Sequence, residues 1–350
     1  MSNKPVGIKD VAAAAGVSVT TVSHVLNDVA YARVGAETRE RVHEAAHRLG
    51  YGPNRLAQAL RTQRSGMIGF ISEEIATTPH AGRIILGAEE TAGRRGYNIM
   101  IINSTVTGSD DSRESAVAAL LDRQVDGILY ATMYHRRLAV PKNLAGLPAV
   151  LVDSEDISHS VSAVIPDEEG GARAAVQALV DAGHIRIGMI NNTDDVPATH
   201  SRLRAFKETL ADAALEFRAE LVQSEHSDAP GGHQAALRLM QLDHRPTAVF
   251  CYNDLMAMGL YRAASELGVS IPDELSVVGF DNQELIAENL HPALTTVALP
   301  HYEMGAWATE NLIDAIEGKA DLGLMAAHPT VLACPLVVRD SVAGPARSYA

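Results

Sequence analysis

The chain has 350 residues, of which 47% are hydrophobic and 21% are charged, a balance that is ordinary for a soluble globular protein with more than one domain. No apolar run approaches the roughly 20 residues that span a bilayer, and the first residues lack the apolar segment of a signal peptide. We therefore expect a cytoplasmic protein that does not associate with a membrane. Cys251 and Cys334, the only cysteines, lie in apolar, strand-like stretches and are predicted to be buried thiols without a disulfide framework.

The net charge of -14 is unevenly distributed along the chain. Residues 1–64 hold nine Lys or Arg against five Asp or Glu, a net charge of +4, which leaves -18 for the rest. A small basic segment can bind phosphates while a large acidic body is repelled by them. This asymmetry favours a protein that meets nucleic acid through its N-terminal end.

The first predicted elements are two short helices joined by a sharp turn. Apolar residues recur at helical spacing from Ile8 to Ala15, Gly16 breaks the run, and Ser18 is placed to cap a second helix. The outward positions of that helix carry side chains that can enter a major groove, namely Val19, Thr20, Thr21, Ser23 and His24. The alternative is an ordinary helical hairpin whose Thr and Ser side chains are merely solvated.

A third helix is predicted from Ala36 to Leu49, ended by Gly50. It contains His43, Glu44 and His47 in the HExxH pattern of zinc proteases. No third ligand or substrate cleft is predicted nearby in this basic three-helix head. We therefore interpret the three side chains as a solvated helix face and expect no metal site.

A short helix of two turns can begin at Pro53, with Leu56 and Leu60 on one face. If two copies met symmetrically on DNA, Leu60 could wedge between base pairs of the minor groove while Asn54 and Arg55 held the backbone. The alternative is a linker whose leucines pack on the body, and the local sequence does not separate the two.

The rest of the chain alternates strand-like runs with helical segments. The predicted strands are Met67–Ile71, Ile99–Ile102, Gly127–Tyr130, Ala149–Val152, Ala163–Ile165, Ile187–Ile190, Ala219–Val222, Ala248–Cys251 and Ser276–Gly279. The predicted helices include Gly82–Gly93, Ser112–Leu121 and His301–Ile316. This alternation predicts right-handed crossovers, parallel sheets and, because two sheets exceed one core, two lobes with a cleft at the carboxyl ends of the strands.

Polar side chains directly after these strands should face the cleft. Asp153, Asn253 and Asp281 each follow a strand, and Arg202 lies in the helix after IGMINN. Carboxylates, an amide and a guanidinium suit a polyhydroxylated small molecule, because each hydroxyl both donates and accepts. Asp254 is expected instead to cap its helix. For any one of these residues alone, a turn or a helix cap is an alternative role.

Several segments resemble the LacI/GalR family in the family's own order. They are IKDVAAAAGVSVTTVSHVLN, ETRERVHEAAHRLGYGPN and RLAQALRT, followed by MIGFI, GHIRIGMI, FCYNDLMAMG, ELSVVGFDN and HPALTTV. The resemblance runs from Ile8 to about Val342. It implies an all-α, lambda-repressor-like helix-turn-helix head, a hinge helix, and an α/β periplasmic-binding-protein-like body of two lobes with parallel sheets.

The implied boundaries are a head at 1–52, a hinge at 53–64, a body at 65–342 and a tail at 343–350. The tail lacks the apolar heptads of a tetramer-forming coil. The resemblance places the crossings between lobes near Pro166, Pro292 and His328. Lobe 1 would then be about 65–165 plus 293–327, and lobe 2 about 166–292 plus 328–342.

The resemblance also implies roles for particular residues. Val19, Thr20 and His24 would read bases, Leu60 would be the minor-groove wedge, and phosphates would be contacted by Thr21, Ser23 and Asn27. The ligand would be bound by Asp153, Arg202, Asn253 and Asp281. His80 is a further candidate, at a place where the family often has paired aromatics.

Four departures from the family pattern bear on these roles. The loop after Asn27 is a residue or two longer than usual, and Gly35 replaces the Ser that usually caps the third helix. Ala205 replaces a Gly in the Arg202 motif. The only Trp, Trp307, falls in the last helix, where we expect core packing instead of ligand stacking.

Together these observations predict a transcription repressor that binds inverted-repeat, double-stranded operator DNA as a homodimer. Its allosteric effector would be a small polar metabolite, such as a sugar, and no cofactor is expected. An enzyme, for example a hydrolase using the cleft carboxylates, is the alternative. It is disfavoured because no GxSxG, P-loop or GxGxxG motif is found and the basic head would have no purpose. A ligand-binding transport protein would share the two-lobed body, but it would require a secretion signal and would lack the basic head, so this class is also disfavoured.

Overall fold

The computed structural model describes residues 6–27, 32–51, 64–78, 81–104 and 110–345. The chain divides into two units, Met1–Gly66 and Met67–Ala350. Each unit has its own hydrophobic core, so each is described by itself.

The described residues of the N-terminal unit form three helices, which confirms the predicted helical head: α1 (Ile8–Ala15), α2 (Val19–Leu26) and α3 (Ala36–Leu49). Gly16 ends α1 with a φ of 66°, a left-handed conformation that glycine adopts without steric cost. The apolar faces of the three helices enclose one core, made of Val11, Ala12, Ala15, Val22, Val25, Val42, Ala45 and Ala46. Because this core is small, each of its members matters to the fold.

The first lobe of the body is built on a parallel sheet. Its elements in chain order are β1 (Met67–Glu73), α4 (Gly82–Arg94), β2 (Asn98–Ser104), α5 (Asp110–Leu121), β3 (Gly127–Leu138), β4 (Ala149–Asp156) and β5 (Ser162–Pro166). Short 3-10 helices follow β1 and β3, at Ile75–Thr77 and Lys142–Leu144.

The second lobe repeats this plan. It contains α6 (Glu168–Asp181), β6 (Ile187–Asn192), α7 (Pro197–Asp212), β7 (Val222–Glu225), α8 (Ala229–Met240), β8 (Ala248–Cys251), α9 (Asp254–Leu267), β9 (Ser276–Asp281), α10 (Glu284–Ala287) and β10 (Thr295–Ala298). The chain ends with α11 (His301–Ile316), α12 (Leu322–Met325), β11 (Thr330–Leu332) and β12 (Leu336–Val337).

The strand orders are β11-β5-β4-β3-β1-β2 in the first lobe and β12-β10-β9-β8-β6-β7 in the second. All pairs are parallel except β10 with β12, which is antiparallel. The expected two parallel sheets are therefore present. Their strands run with the carboxyl ends of β1, β3 and β4 at one edge of the first sheet and those of β6, β8 and β9 at one edge of the second.

The chain passes between the lobes three times, and two passages lie later than expected. The first follows β5 at Pro166. The second was placed near Pro292, but β10 pairs with β9, so the chain stays in the second lobe to Ala298. The third was placed near His328, but β11 pairs with β5, so the chain stays in the first lobe to Leu332. Both errors involve strands of only three or four residues. The strand with which such a short strand forms hydrogen bonds determines the sheet to which it belongs.

One predicted strand begins late. Residues Ala219–Leu221 form a 3-10 helix, and the strand starts only at Val222. Within this stretch Leu221 is buried and Val222 is half-buried, but Ala219 is exposed, and only Val222 takes part in strand pairing. The apolar residues of this stretch therefore gave a strand-like pattern in the sequence, although most of the stretch is a 3-10 helix.

Helices cover both faces of each sheet and pack closely. Where α4 and α11 cross, a Cβ on Gly87 would lie 2.1 Å from the Tyr302 carbonyl oxygen, and one on Gly305 would lie 2.0 Å from that of Ile84. Only glycine allows the two backbones to approach so closely.

Two further predictions are confirmed. Trp307 packs against the apolar cluster of the first lobe, and Cys251 and Cys334 are buried thiols. Within the described ranges, no helix combines the length and the apolar character needed to cross a membrane.

Candidate functional site

A side-chain cap at Ser18 stabilises the start of α2, the helix that carries the predicted DNA contacts. Ser18 caps the helix, with its Oγ accepting a hydrogen bond from the Thr21 backbone N–H at 3.0 Å, and the two hydroxyls lie 2.9 Å apart. Val19, which is 39% exposed, and Thr20 lie at the start of the helix on its solvent side. An exposed valine next to an exposed threonine offers methyl groups and a hydroxyl to a groove.

The end of α2 holds three further predicted DNA contacts, which are Ser23, His24 and Asn27. Asn27 donates from Nδ2 to the Ser23 carbonyl oxygen at 2.8 Å and lies 3.4 Å from the Ser23 hydroxyl. Ser23 and His24 are half-buried. These contacts position Ser23 and Asn27 together at one end of the helix.

The remaining head predictions fall in two groups. His43, Glu44 and His47 are exposed on α3, as expected for a solvated helix face. Asn54, Arg55 and Leu60 lie outside the described residues, as does His80 of the predicted ligand set.

Arg202 lies at the centre of the buried charged groups of the body. It is 3% exposed, donates from Nε to Glu168 Oε2 at 2.7 Å and donates from Nη1 to the Tyr252 carbonyl oxygen. The same Nη1 lies 3.7 Å from Asp281 Oδ1. Its guanidinium carbon lies 3.6 Å from the ring centroid of Phe280 and 4.4 Å from that of Tyr252. Burial is the largest influence and disfavours the charge, but the attractions of Glu168, Tyr252 and Asp281 together outweigh it and raise the pKa of Arg202.

Asp153 reaches this group from the other lobe. It lies near the carboxyl end of β4, is 4% exposed and has a left-handed backbone with a φ of 56°. Thr132 Oγ1 donates to its backbone carbonyl at 2.7 Å. Its own Oδ1 is buried without a hydrogen-bond partner among the described residues. Burial raises the pKa of Asp153 well above its usual range, and Glu168 and Asp281 add to the rise while Arg202 and Arg136 oppose it.

The Asn253-Asp254 pair differs from expectation. Asn253 caps α9, because its Oδ1 accepts from the Met256 N–H at 2.8 Å while its Nδ2 donates to the Ser227 carbonyl at 3.0 Å. The expectation that Asp254 caps this helix is wrong: as the first residue inside it, its carboxylate accepts from Thr296 Oγ1 and the Gln283 N–H. Burial, followed by the nearby Asp281, raises the pKa of Asp254 to about 8.

Three charged residues of this region were not predicted from the sequence. Glu168 follows β5 by two residues, so the rule that polar groups after strands face the cleft would have found it. Glu73 ends β1, is fully buried, and binds Tyr130 and Arg136, with Arg113 Nε at 3.2 Å. Arg136 could not have been found in this way, because β3 continues past the predicted Tyr130 through an irregularity in its pairing.

A cavity of about 770 Å³ lies beside Asp281, which is the only member of the predicted ligand set among the described residues of its walls. Its other walls come from the passages at Ala298–Pro300 and Leu332–Pro335, and Arg83 and Glu284 form a salt bridge of 3.2 Å at its edge. The buried charged group, rather than this mostly apolar cavity, holds the polar atoms that a hydroxylated ligand requires.

A helix-turn-helix unit combined with a two-lobed body of this kind defines a ligand-responsive transcription regulator. Residues 7–54 match the profile of bacterial regulatory proteins of the lacI family, and residues 176–342 match that of a periplasmic binding protein-like domain. The chain is 33% identical over 338 residues to the HTH-type transcriptional repressor PurR of Vibrio vulnificus, covering 96% of this chain and 98% of the relative. The chain belongs to the LacI family: it is a DNA-binding transcriptional repressor regulated by a small effector, and not an enzyme.

Two further relatives agree with this assignment. The ribose operon repressor of Haemophilus influenzae is 32% identical over 311 residues, 89% of this chain and 92% of the relative. The crystal structure of the lac repressor dimer bound to operator and the anti-inducer ONPF is 28% identical with a TM-score of 0.76, covering 97% of this chain and all of that one. The predicted family and fold class are therefore confirmed.

Proposed function

We propose that this repressor acts in the cytoplasm as a homodimer on inverted-repeat operator DNA and responds to a small polar metabolite bound between its lobes. The repressors similar to it are named for purine and ribose regulation, which favours a purine or a sugar as the effector. The lac repressor structure is a dimer on its operator, which favours the same assembly here.

The contacts on DNA follow the exposed face of α2. Val19, Thr20 and His24 read base edges, while Thr21, Ser23 and Asn27 contact phosphates. Asn54, Arg55 and Leu60 contribute hinge contacts, with Leu60 as the minor-groove wedge.

The observation that carries the effector proposal is the group of Asp153, Arg202 and Asp281. Two lobes contribute to it, so a molecule bound there contacts both and stabilises one relative orientation of them over another. Asn253 joins the set through the second hydrogen of its amide, since its bond to Ser227 uses one. His80 is retained as a further contact.

A thermal-shift panel of sugars, nucleobases and nucleosides tests the cleft. A ligand that binds only the folded protein raises its melting temperature by mass action. Asp281→Asn keeps the shape but removes a charged acceptor, so the active compound should bind about tenfold or more weakly. Asp243→Asn, at an exposed site away from the cleft, is the control. An equal ligand-induced shift in both variants would place the effector elsewhere.

Operator binding is expected to require two half-sites. Because each head of a twofold dimer reads one half-site, an inverted repeat should be bound about a hundredfold more tightly than a single half-site flanked by random sequence. Fluorescence anisotropy with both duplexes at one salt concentration measures the difference. Equal affinity for the two duplexes would contradict the proposal that a dimer binds both half-sites of the operator.

A further inference from the structure

Asp153 belongs to one lobe, but most of the charges around it belong to the other. Glu168 at the start of α6, Arg202 in α7 and Asp281 at the end of β9 all come from the second lobe, and Arg136 in β3 comes from its own. Helix α7 also contacts β3 directly. The environment of Asp153 therefore depends on how closely the lobes approach.

Both arginines attract the charge of Asp153, but each is shared with other carboxylates, and together they do not offset its burial. Arg202 is engaged by Glu168, the Tyr252 carbonyl and Asp281. Arg136 is bound to the fully buried Glu73. Among the described residues Asp153 Oδ1 receives no hydrogen bond. Burying a carboxylate oxygen without a hydrogen-bond partner destabilises the ionised form, and a group in this situation takes up a proton instead.

We propose that Asp153 carries a proton while the lobes are closed and that its loss to solvent drives the lobes apart. Once ionised, Asp153 faces Glu168 and Asp281 across the lobe boundary as a like charge. Opening lets water reach all three carboxylates. This inference rests on the proposed effector cleft and adds that the conformation controlled by the effector is also controlled by pH.

The direction of the pH effect follows from the raised pKa of Asp153. The folded body holds this proton at pH values where the unfolded chain, with an ordinary aspartate, has released it. Stability is therefore complete below the usual aspartate pKa and is lost as pH rises toward the raised value. Asparagine has the shape of a protonated aspartate but cannot ionise, so it should remove this loss.

The experiment compares melting curves of full-length wild type and Asp153→Asn, without ligand or DNA, between about pH 5 and about pH 8. The wild type should lose roughly 3–5 °C relative to the variant for each pH unit below the raised pKa, since each unit changes the equilibrium constant tenfold. Asp254 titrates in both proteins, so its effect cancels in the comparison. Parallel curves would overturn the proposal.

Asp156→Asn is a matched control on the same strand. Burial opposes the charge of Asp156, but hydrogen bonds from Ser158 and Ser160 outweigh it and lower its pKa. Asp156 is thus already ionised in both folded and unfolded chains over this range. Its asparagine variant should be less stable than wild type by an amount that stays constant with pH.

Small-angle scattering of the wild type tests lobe opening even if Asp153→Asn fails to fold. The radius of gyration should be larger at about pH 8 than at about pH 5, and an unchanged radius would overturn the opening step.

The panel of candidate effectors separates the proposed proton on Asp153 from the proposed effector cleft. If a compound binds through Asp281 while the melting curves stay parallel, the proton is rejected and the effector cleft is retained. If the melting curves diverge and no compound binds through Asp281, the effector cleft is rejected and the proton on Asp153 is retained.

Discussion

Arg202→Ala is expected to lower the melting temperature of the body by roughly 10 °C. The side chain is 3% exposed and pairs with Glu168, which is 5% exposed. Removing one partner of a buried ion pair leaves an uncompensated charge, which costs about 3–5 kcal/mol. Two aromatic rings and the Tyr252 carbonyl lose their contact with the guanidinium as well.

A double variant separates the cost of the stranded carboxylate from the loss of a ligand contact. In Arg202→Met with Glu168→Gln, both charges are absent, so most of the melting temperature should return. Ligand binding should not return, because Asp281 and the ligand still lack the guanidinium. Calorimetric unfolding and isothermal titration with the compound found in the panel measure the two effects. If the double variant is no more stable than Arg202→Ala, charge burial is not the cause of the destabilisation.

Val22→Asp is expected to abolish operator binding while leaving the body intact. Val22 is fully buried in the small core of the head, and a carboxylate there has no partner among the described residues of that core. Burying an unpaired charge costs several kcal/mol, which a domain of about 60 residues can rarely tolerate. Affinity for both operator and random DNA should fall roughly a hundredfold or more. The melting transition of the second unit and its ligand binding should be unchanged, since its core is separate.

Val19→Asp is the matched control for this loss. Val19 lies one turn earlier on α2 and is exposed, so an aspartate there should leave the head folded. DNA binding should still fall, because a carboxylate would face the phosphates and base edges. Circular dichroism of residues 1–66 in both full-length variants, taken as the difference from a chain lacking the head, distinguishes an unfolded head from a folded one. A head that melts normally in Val22→Asp would contradict the argument.

Local sequence was sufficient wherever a helix or strand was strongly patterned. The spacing of apolar residues, with Gly16 and Ser18 between them, predicted α1 and α2 because these signals act within one or two turns of the chain. Long buried strands such as β4 and β9 were predicted for the same reason. The rule that polar groups follow strands identified Asp153 and Asp281, because all parallel strands of a sheet end at the same edge.

Pairings between distant parts of the chain were decided only by the tertiary structure. The short strands β10 and β11 carry no pattern that names their sheet, so two passages between the lobes were misplaced. Asn253, rather than Asp254, caps α9. The Asp254 carboxylate instead accepts hydrogen bonds from Thr296 and Gln283, which lie 42 and 29 residues away in sequence. A local rule cannot anticipate partners at that distance.

The sequence by itself determined the family, the two-part organisation and most of the residues gathered between the lobes. The tertiary structure decided what those residues do to one another. It paired Arg202 with Glu168, engaged Arg136 with Glu73, and left Asp153 Oδ1 without a hydrogen-bond partner among the described residues. The physical reason is that burial and charge compensation depend on distances across the two lobes, and those distances exist only once both sheets have folded and met.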